Sequence, residues 1–366
     1  MPFCRERCDY CAFATYTDRD HLMARYAAAC VRELDSARDA GELRAATSVF
    51  FGGGTPSRLH PELLCSILEA VPRAEGAEVT VECNPEDADG AHLDAYRRAG
   101  VTRVSFGLQS THAHVLAGLG RRRVPGAPER ISAAVAEAGF ATWNLDLIFG
   151  AAPERDRDWA ATLAHVLDLD PAPPHLSAYG LTVEPGTELA RHPARRPDEE
   201  AQARRYEHTE AVLADAGYAW EEISNWARPG HECRHNHLYW EQGDYRGVGS
   251  AAHSHRAGTR WWHVRTPERY LAAIERGGDP VAGREVLSDA QRAFEGLTLA
   301  LRTPRGVPWE SLERPEQLAG LVTRVPAAAR HPAACASAGD RAVLTVAGRL
   351  LANEVSTRIR SGILLR

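Results

Sequence analysis

Three cysteines lie close together at the start of the chain, as Cys4, Cys8 and Cys11. Their spacing, C-x3-C-x2-C, allows one short loop to present three thiolates to a single metal centre. Iron–sulfur clusters and structural zinc ions usually take four ligands, so a set of three leaves one coordination position for a further group. The spacing therefore predicts a cluster with one open position, or a zinc site that a later Cys or His completes.

Polar residues and glycines stand at the ends of several predicted strands. In a sheet of parallel strands the carboxyl ends meet on one face, so these residues are expected to converge. Two carboxylates, an amide and glycines that admit close approach would suit a polar, cationic ligand. A buried carboxylate without a partner is costly, so the aspartate needs a partner or a role in the site. The residues are Gly53 and Gly54 after one strand, Glu82 at the end of the next, Gln109 after the third and Asp146 late in the fourth.

Helical and strand-like stretches alternate from about residue 20 to residue 180. This alternation predicts an α/β fold in which helices cover parallel strands, as a barrel or a doubly wound sheet. A loop rich in Pro and Arg at residues 185–200 marks a boundary. We expect a core domain at residues 1–185, an extension at 186–290 and a small, mostly helical or winged-helix-like domain at 291–366. For the last domain, packing or partner docking is favoured over DNA binding.

The composition narrows the class of protein. The chain has 366 residues, of which 44% are hydrophobic and 25% charged, as in an ordinary globular protein. The formal charge of −6 argues against a broad nucleic-acid surface. No apolar run approaches the roughly 18–20 residues of a membrane span, and the N-terminus lacks a signal-peptide core. We therefore expect a cytoplasmic protein with reduced thiols, since disulfides persist mainly in oxidising compartments.

Short strings along the chain match the motifs of a known family. They are PFC at residues 2–4, CxYCxF at 8–13, FGGGTPS at 51–57, ECNP at 82–85, SFGLQS at 105–110, LGR at 119–121, NLDLIFG at 144–150, SAY at 177–179 and CRHNHLYW at 233–240. Each string is short, but their order and spacing together are specific. On these motifs the chain resembles the radical SAM superfamily, and within it the anaerobic coproporphyrinogen III oxidase family and that family's haem-chaperone subfamily.

The resemblance implies a partial (β/α)6 barrel followed by a smaller C-terminal α+β domain. It also implies that Cys4, Cys8 and Cys11 hold a [4Fe–4S] cluster whose remaining iron takes S-adenosylmethionine (SAM). Gly53 and Glu82 would contact that SAM. The positions that hold a second SAM in the oxidases correspond to Gly54, Thr55, Gln109, Arg121 and Asp146.

Two features of the sequence distinguish the haem chaperones from the oxidases. The oxidases carry a further cysteine two positions after the third, where this chain has Phe13. Residues 235–240, HNHLYW, fit the HNxxYW pattern that is associated with haem binding in the chaperones. Imidazole is a common axial ligand of haem iron, and Tyr and Trp offer flat apolar surface to the macrocycle.

The haem contacts are therefore expected to come from this block. His235 is the favoured ligand, His237 competes with it, and Cys233 and His253 are nearby alternatives. From the residue types alone, a packing role for His235 and Trp240 is the simpler interpretation, and the resemblance reverses that preference. The other expected haem contacts are Asn236, Tyr239 and Trp240.

The function that the resemblance implies is that of a haem chaperone. Such a protein would bind haem and deliver it to an acceptor protein, such as a respiratory enzyme in or at a membrane. The cluster and SAM would then control dimerisation or transfer. The alternative is an oxygen-independent coproporphyrinogen III oxidase that decarboxylates its substrate by radical chemistry, an activity that Phe13 argues against.

The start of the sequence differs from the family pattern. Relatives have a short strand before Pro2, and here the sequence begins at Met1. We expect that the start codon was placed too late, because an unpaired sheet edge beside the cysteine loop would be unfavourable. The chain as given is then expected to retain its cluster poorly.

Overall fold

A curled sheet of seven strands lies at the centre of the fold. The computed structural model of the protein describes residues 1–87, 89–312, 315–326 and 339–363. Five strands run parallel in chain order as a half-barrel, and a later hairpin adds two antiparallel strands at one edge. The strands are β1 (Ala46–Phe51), β2 (Arg73–Cys83), β3 (Arg103–Gln109), β4 (Thr142–Phe149), β5 (His175–Gly180), β6 (Ala219–Glu222) and β7 (Asn225–Ala227), in the spatial order β1-β2-β3-β4-β5-β7-β6.

Helices connect the parallel strands and share one hydrophobic core with them. The first helix buries Tyr26, Cys30 and Leu34, which recur at the spacing of one helical face. The third begins where the Asp89 side chain accepts a hydrogen bond from a backbone N–H, and it ends at Gly100, whose φ is 95°. The helices before β5 are α1 (Met23–Asp39), α2 (Pro61–Ala70), α3 (Gly90–Ala99), α4 (Ala113–Gly118), α5 (Ala127–Glu137) and α6 (Asp156–Leu167).

The parallel strands alternate between an apolar outer face and a polar inner face. On β2, Val79 and Val81 are buried in the main core, whereas Glu78 and Glu82 form hydrogen bonds on the opposite side of the strand. Successive side chains of a strand point to opposite faces, so this alternation separates the two environments. The half-barrel therefore encloses polar side chains, which suits a ligand site.

After β5 the chain forms two smaller sheets and further helices. The buried apolar residues form a main core between residues 3 and 271, a second core between residues 301 and 355, and a small cluster that includes Val115, Ile148 and Leu189. The small sheets have the strand orders β10-β9-β8 and β11-β13-β12. The elements are α7 (Glu199–Asp215), α8 (Arg234–Trp240), β8 (His253–Arg256), β9 (Thr259–His263), α9 (Pro267–Glu275), β10 (Val281–Val286), α10 (Asp289–Ala300), β11 (Val307–Pro308), β12 (Val322–Val325), β13 (Arg341–Leu344), α11 (Val346–Leu350) and α12 (Ala352–Ile363).

The predicted α/β fold is confirmed, as a half-barrel of five parallel strands with additional smaller sheets. The first helical stretch begins as a 3-10 turn, Asp20–Leu22, and becomes an α-helix at Met23. The block around His235, for which the sequence indicated no element, forms α8. The three-domain division and the winged-helix character of residues 291–366 stay predictions, and part of that last range lies outside the described residues.

Candidate functional site

The cysteine loop lies beside the glycine run that follows β1. Cys4 Sγ is 3.5 Å from the Thr55 hydroxyl, and the Cys11 amide donates to the Cys8 carbonyl at 3.1 Å. All three thiols are half-buried and unpaired. Burial raises the pKa of Cys4 and Cys11, so a bound metal would have to displace their protons.

The three thiols do not converge on a single point. In the ranges that the structure describes, no three Cys, His, Asp or Glu side chains converge to hold one metal ion. In a [4Fe–4S] cluster each thiolate binds a different iron, so such convergence is not required. The loop is thus compatible with a cluster.

The glycine run admits the backbone of the cysteine loop at close range. A Cβ atom at Gly54 would lie 2.7 Å from the Phe3 carbonyl oxygen, so no side chain fits there. The Thr55 amide donates to that same oxygen at 2.7 Å. Gly53 has a φ of 106°, which L-residues rarely adopt, and its amide donates to Glu82 Oε2 at 3.2 Å. These contacts place Gly54 and Thr55 against the cysteine loop, and Gly53 connects this region to Glu82. Their role toward SAM stays a prediction.

Asp146 lies on the inner face with hydrogen-bond partners. Its carboxylate accepts from Asn144 Nδ2 at 2.8 Å and from the Ser105 hydroxyl at 3.2 Å. Burial raises its pKa, and these bonds oppose the rise. The expectation that this buried carboxylate has partners is therefore met by the chain itself. Glu82 lies close enough for the Asp146 charge to raise its pKa further.

Gln109 and Arg121 approach the same edge of the sheet. Gln109 is the last residue of β3, with a φ of 67°, and its buried Oε1 has no hydrogen-bond partner among the described residues. A buried amide oxygen without a partner is unfavourable, and a ligand donor would satisfy it. The Arg121 guanidinium lies 3.4 Å from Cys8 Sγ and donates to the Gly107 carbonyl at 2.9 Å. The side chain of the neighbouring Arg122 is 84% exposed, so Arg121, and not Arg122, lies against the cysteine loop.

His235 occupies the first turn of α8 and contacts β1. Its Nδ1 lies 2.8 Å from the Ser48 hydroxyl and its Nε2 lies 2.9 Å from the Tyr239 hydroxyl. The ring also stacks on Phe50, with centroids 5.1 Å apart. Burial lowers the pKa of His235 to about 4, so the imidazole is neutral near pH 7.

The other residues of the block lie in different surroundings. His237 pairs with Glu221, whose carboxylate raises the pKa of His237. Cys233 is buried at the N-terminus of α8, and His253 is exposed on β8, with its ring stacked on Trp262. Asn236 and Trp240 are half-buried on α8.

One groove connects the glycine run with α8. It encloses about 1600 Å³ and is lined by Gly53, Glu82, His235 and Tyr239, among others. His253 and Phe13 also line it. The structure thus brings part of the predicted SAM site and part of the predicted haem site to one groove. Asn236 and Trp240 are not part of its lining.

Sequence reasoning missed two buried carboxylates, Glu78 and Glu221. Each accepts hydrogen bonds from backbone N–H groups at the start of α8. Glu78 occupies an inward position of β2, so the alternation EVTVE carried a signal for it. Glu221 precedes Glu222 on β6, and nothing in that pair of acids indicates which one faces inward.

Comparison with known proteins gives the family. Residues 1–166 match the model of the radical SAM superfamily. The heme chaperone HemW of Mycobacterium tuberculosis is 40% identical over 97% of this chain and 92% of its own length. The heme chaperone HemW of Synechocystis is 36% identical over 85% of this chain and 79% of its own length. The chain belongs to the HemW family.

A solved structure supports the fold of this HemW-family chain. Coproporphyrinogen III oxidase (HemN) from Escherichia coli superposes with a TM-score of 0.80, over 98% of this chain and 88% of its own, at 21% identity. Membership of the radical SAM superfamily implies a [4Fe–4S] cluster and SAM. Among the helices that the structure describes, none is both long and apolar enough to cross a membrane.

Replacement of each loop cysteine tests the cluster site. We expect Cys4→Ser, Cys8→Ser and Cys11→Ser each to lose most of the iron and acid-labile sulfide that the wild type takes up on anaerobic reconstitution. The reason is that each variant removes one of the three thiolates available to the cluster. Cys65→Ser is the control, because this half-buried thiol lies on α2, outside the cysteine loop, with its Sγ 3.8 Å from the Ala95 carbonyl oxygen. Equal iron in all five proteins would contradict the assignment.

The pH dependence of stability tests the surroundings of Glu82. Burial raises the pKa of Glu82 to about 8 from its ordinary value of 4.5, so folding takes up a proton between these values. This contribution to stability is fully present below pH 4.5 and is lost as the pH rises through 8. Relative to Glu82→Gln, the wild-type free energy of unfolding should fall from pH 5 to 8, by at most about 1.4 kcal/mol per pH unit.

Urea unfolding of the cluster-free chain at several pH values measures this difference. Glu62→Gln is the control, because the Glu62 side chain is 90% exposed and its replacement should leave the pH profile unchanged. Parallel profiles for the wild type and Glu82→Gln would show that Glu82 titrates normally.

Proposed function

We propose that the protein is a haem chaperone, which binds haem and passes it to an acceptor protein. The observation that carries this proposal is the position of His235 and Tyr239 on one wall of the groove that also reaches Gly53 and Glu82. The groove offers an imidazole and aromatic surface to a macrocycle and extends to the region where SAM is expected. The HemW relatives, which are named heme chaperones, support the same function.

His235 has the protonation state that a haem ligand needs. A histidine binds haem iron as neutral imidazole, and the lowered pKa of about 4 keeps the His235 ring neutral near pH 7. Its Nε2 is covered by the hydroxyl of Tyr239, which is an exposed residue at the rim of the groove. Ligation through Nε2 would therefore require this hydroxyl to move away. His237 is the weaker candidate, because its Nε2 is paired with Glu221.

The same proposal assigns the cofactor residues. Cys4, Cys8 and Cys11 would hold the [4Fe–4S] cluster, which leaves an iron free for the amino and carboxylate groups of SAM. When bound, the cluster would supply the electron for reductive chemistry on SAM. Gln109 Oε1, which has no hydrogen-bond partner among the described residues, suits a polar ligand at this edge. The SAM contacts would be Gly53, Gly54, Thr55, Glu82, Gln109, Arg121 and Asp146.

The cellular role would be delivery of haem rather than its synthesis. Phe13 is 64% exposed at the position where the oxidases carry a further cysteine, so no thiol is available there. The acceptor would be a respiratory or similar haem protein, reached from the cytoplasm, and a homodimer is part of the proposal.

Haem titration tests the proposal. We expect the wild type to bind haem with a shift of the Soret band, and His235→Ala to lose that shift or to weaken it at least tenfold. His208→Ala is the matched control, since His208 is an exposed histidine on α7. Absence of a Soret shift in the wild type, or an unchanged shift in His235→Ala, would contradict this assignment. Conversion of coproporphyrinogen III under anaerobic conditions with SAM and reductant would favour the oxidase instead.

Tyr239→Phe should bind haem more tightly than the wild type. The variant lacks the hydroxyl that covers His235 Nε2, so ligation no longer requires a hydrogen bond to break. The net value of such a bond is about 0.5–1.5 kcal/mol, which corresponds to roughly a two- to tenfold lower Kd. Tyr245→Phe is the control, because the Tyr245 ring packs on Tyr239 and the hydrogen bonds of His235 go to other residues. Weaker binding by Tyr239→Phe would show that this hydroxyl itself contributes to the haem site.

A further inference from the structure

The start of the haem-motif helix α8 is held by two buried carboxylates. Glu221 accepts a hydrogen bond from the Cys233 amide at 2.8 Å. Glu78 accepts from the Arg234 amide at 3.1 Å and from the His235 amide at 3.0 Å. The first N–H groups of a helix have no partners within the helix, and ionised acceptors form strong hydrogen bonds with them. The position of α8 therefore depends on carboxylates that belong to β2 and β6.

Glu221 makes two further contacts that connect α8 with the sheet. Its Oε1 lies 3.1 Å from Nε2 of His237, which is two residues after His235 in the motif. Its Oε2 lies 2.8 Å from Nε2 of His175, which is fully buried on β5. These contacts keep Glu221 ionised, and its pKa is lowered by both histidines although burial alone would raise it. One side chain thus joins β5, β6 and α8.

A chain of hydrogen bonds continues from His175 to Asp146. His175 Nδ1 lies 2.7 Å from Asn144 Oδ1, and Asn144 Nδ2 donates to Asp146 Oδ1 at 2.8 Å. Asn144 Oδ1 and the Glu221 carboxylate are both acceptors, so the His175 ring donates to both of them only in its protonated form. Burial lowers the pKa of His175 to about 4, and the Glu221 carboxylate opposes that change. Near pH 7 the neutral His175 ring donates to one of these two acceptors and lies close to the other. The contacts from Asp146 through Asn144, His175 and Glu221 to His237 are each 3.1 Å or shorter.

We infer that Glu221 is a positioning residue that couples the SAM site at Asp146 to the haem motif on α8, through His175 and Asn144. This inference rests on the proposed function, since it takes Asp146 as a SAM contact and α8 as the haem site. Binding of SAM changes the affinity for haem, and haem changes the affinity for SAM by the same factor.

Asn144 gives the chain two alternative arrangements. Its amide group has two hydrogens, yet three acceptors lie within reach of Nδ2: Ser105 Oγ at 2.7 Å, Asp146 Oδ1 at 2.8 Å and Ser177 Oγ at 3.0 Å. A donor group of SAM at Asp146 would compete with Asn144 for the carboxylate. The Asn144 amide would then keep its bonds to the two serines, and its contact with His175, and through His175 with Glu221, would change.

The test is a pair of haem titrations on the full chain after anaerobic reconstitution with iron and sulfide. Haemin is added with and without saturating SAM, and binding is followed by the Soret difference spectrum against haem-free protein of equal cluster content. Binding of SAM itself is verified by the change it makes in the EPR spectrum of the reduced cluster. The measured quantity is the Kd ratio, which is the factor by which saturating SAM changes the Kd for haem. We expect this factor to be fivefold or more in the wild type.

Two variants interrupt the chain at different links. Glu221→Gln replaces two carboxylate oxygens by one amide oxygen, so the side chain can no longer accept from Cys233, His175 and His237 together. His175→Phe keeps a ring of similar size and removes both hydrogen bonds. Each should reduce the Kd ratio to less than half of the wild-type value. Glu222→Gln, on the same strand, should keep the ratio, because Glu222 bonds only within the β6–β7 turn, to Ser224 and Asn225.

The ratio separates coupling from a merely structural role. A variant that only loosens α8 weakens haem binding equally with and without SAM, and an unchanged ratio in both variants overturns the inference. A wild-type ratio below fivefold overturns it as well, while the haem-chaperone function stands. A wild type that binds no haem overturns both. If circular dichroism shows that Glu221→Gln does not fold, His175→Phe decides the outcome.

Discussion

The inner face of the half-barrel is polar, and every polar atom buried there needs a partner. This requirement organises the rest of the structure, because an unsatisfied buried group costs more than a hydrogen bond gains. Glu78, Glu221 and Asp146 each accept two or more hydrogen bonds. Arg103, itself buried, lies close enough to favour the charged form of Asp146. The sheet thus helps to determine where α8 lies by offering it acceptors as well as the ring of Phe50.

Much of the site could be predicted from the sequence, because it follows from strand order. The glycine run, Glu82 and Asp146 each stand at or near the carboxyl end of a strand, and parallel strands bring those ends together. Close backbone contacts with Gly54 and Thr55 bring the cysteine loop to the same edge. The run of three arginines at residues 121–123 contains no periodic signal that distinguishes one of them. Arg121 is distinguished by its contacts with the Gly107 carbonyl, 14 positions away, and with Cys8, 113 positions away.

The structure of the haem motif, residues 235–240, could not be predicted from the sequence. Residues 234–240 are too few to form a stable helix alone, so local propensity does not predict α8. The helix exists because distant carboxylates satisfy its first N–H groups, and these contacts join residues more than 150 positions apart for Glu78. The hydrogen bonds of His235 to Ser48 and Tyr239 were equally invisible. In a protein that passes haem on, such competing partners would keep the affinity moderate and so assist release.

The separate core of the C-terminal residues has a consequence for how the molecule unfolds. Buried residues between 301 and 355 form this core, and the buried residues of the larger core end with α9. Arg349 connects the two parts, as an ion pair with Glu210 and with its guanidinium over the Trp220 ring. Apolar contacts join them as well, since Val346 packs against the larger core and Ile223 against the smaller one. Opening of the C-terminal unit while the half-barrel stays folded would have to break these contacts first, so they determine how far the two parts unfold independently.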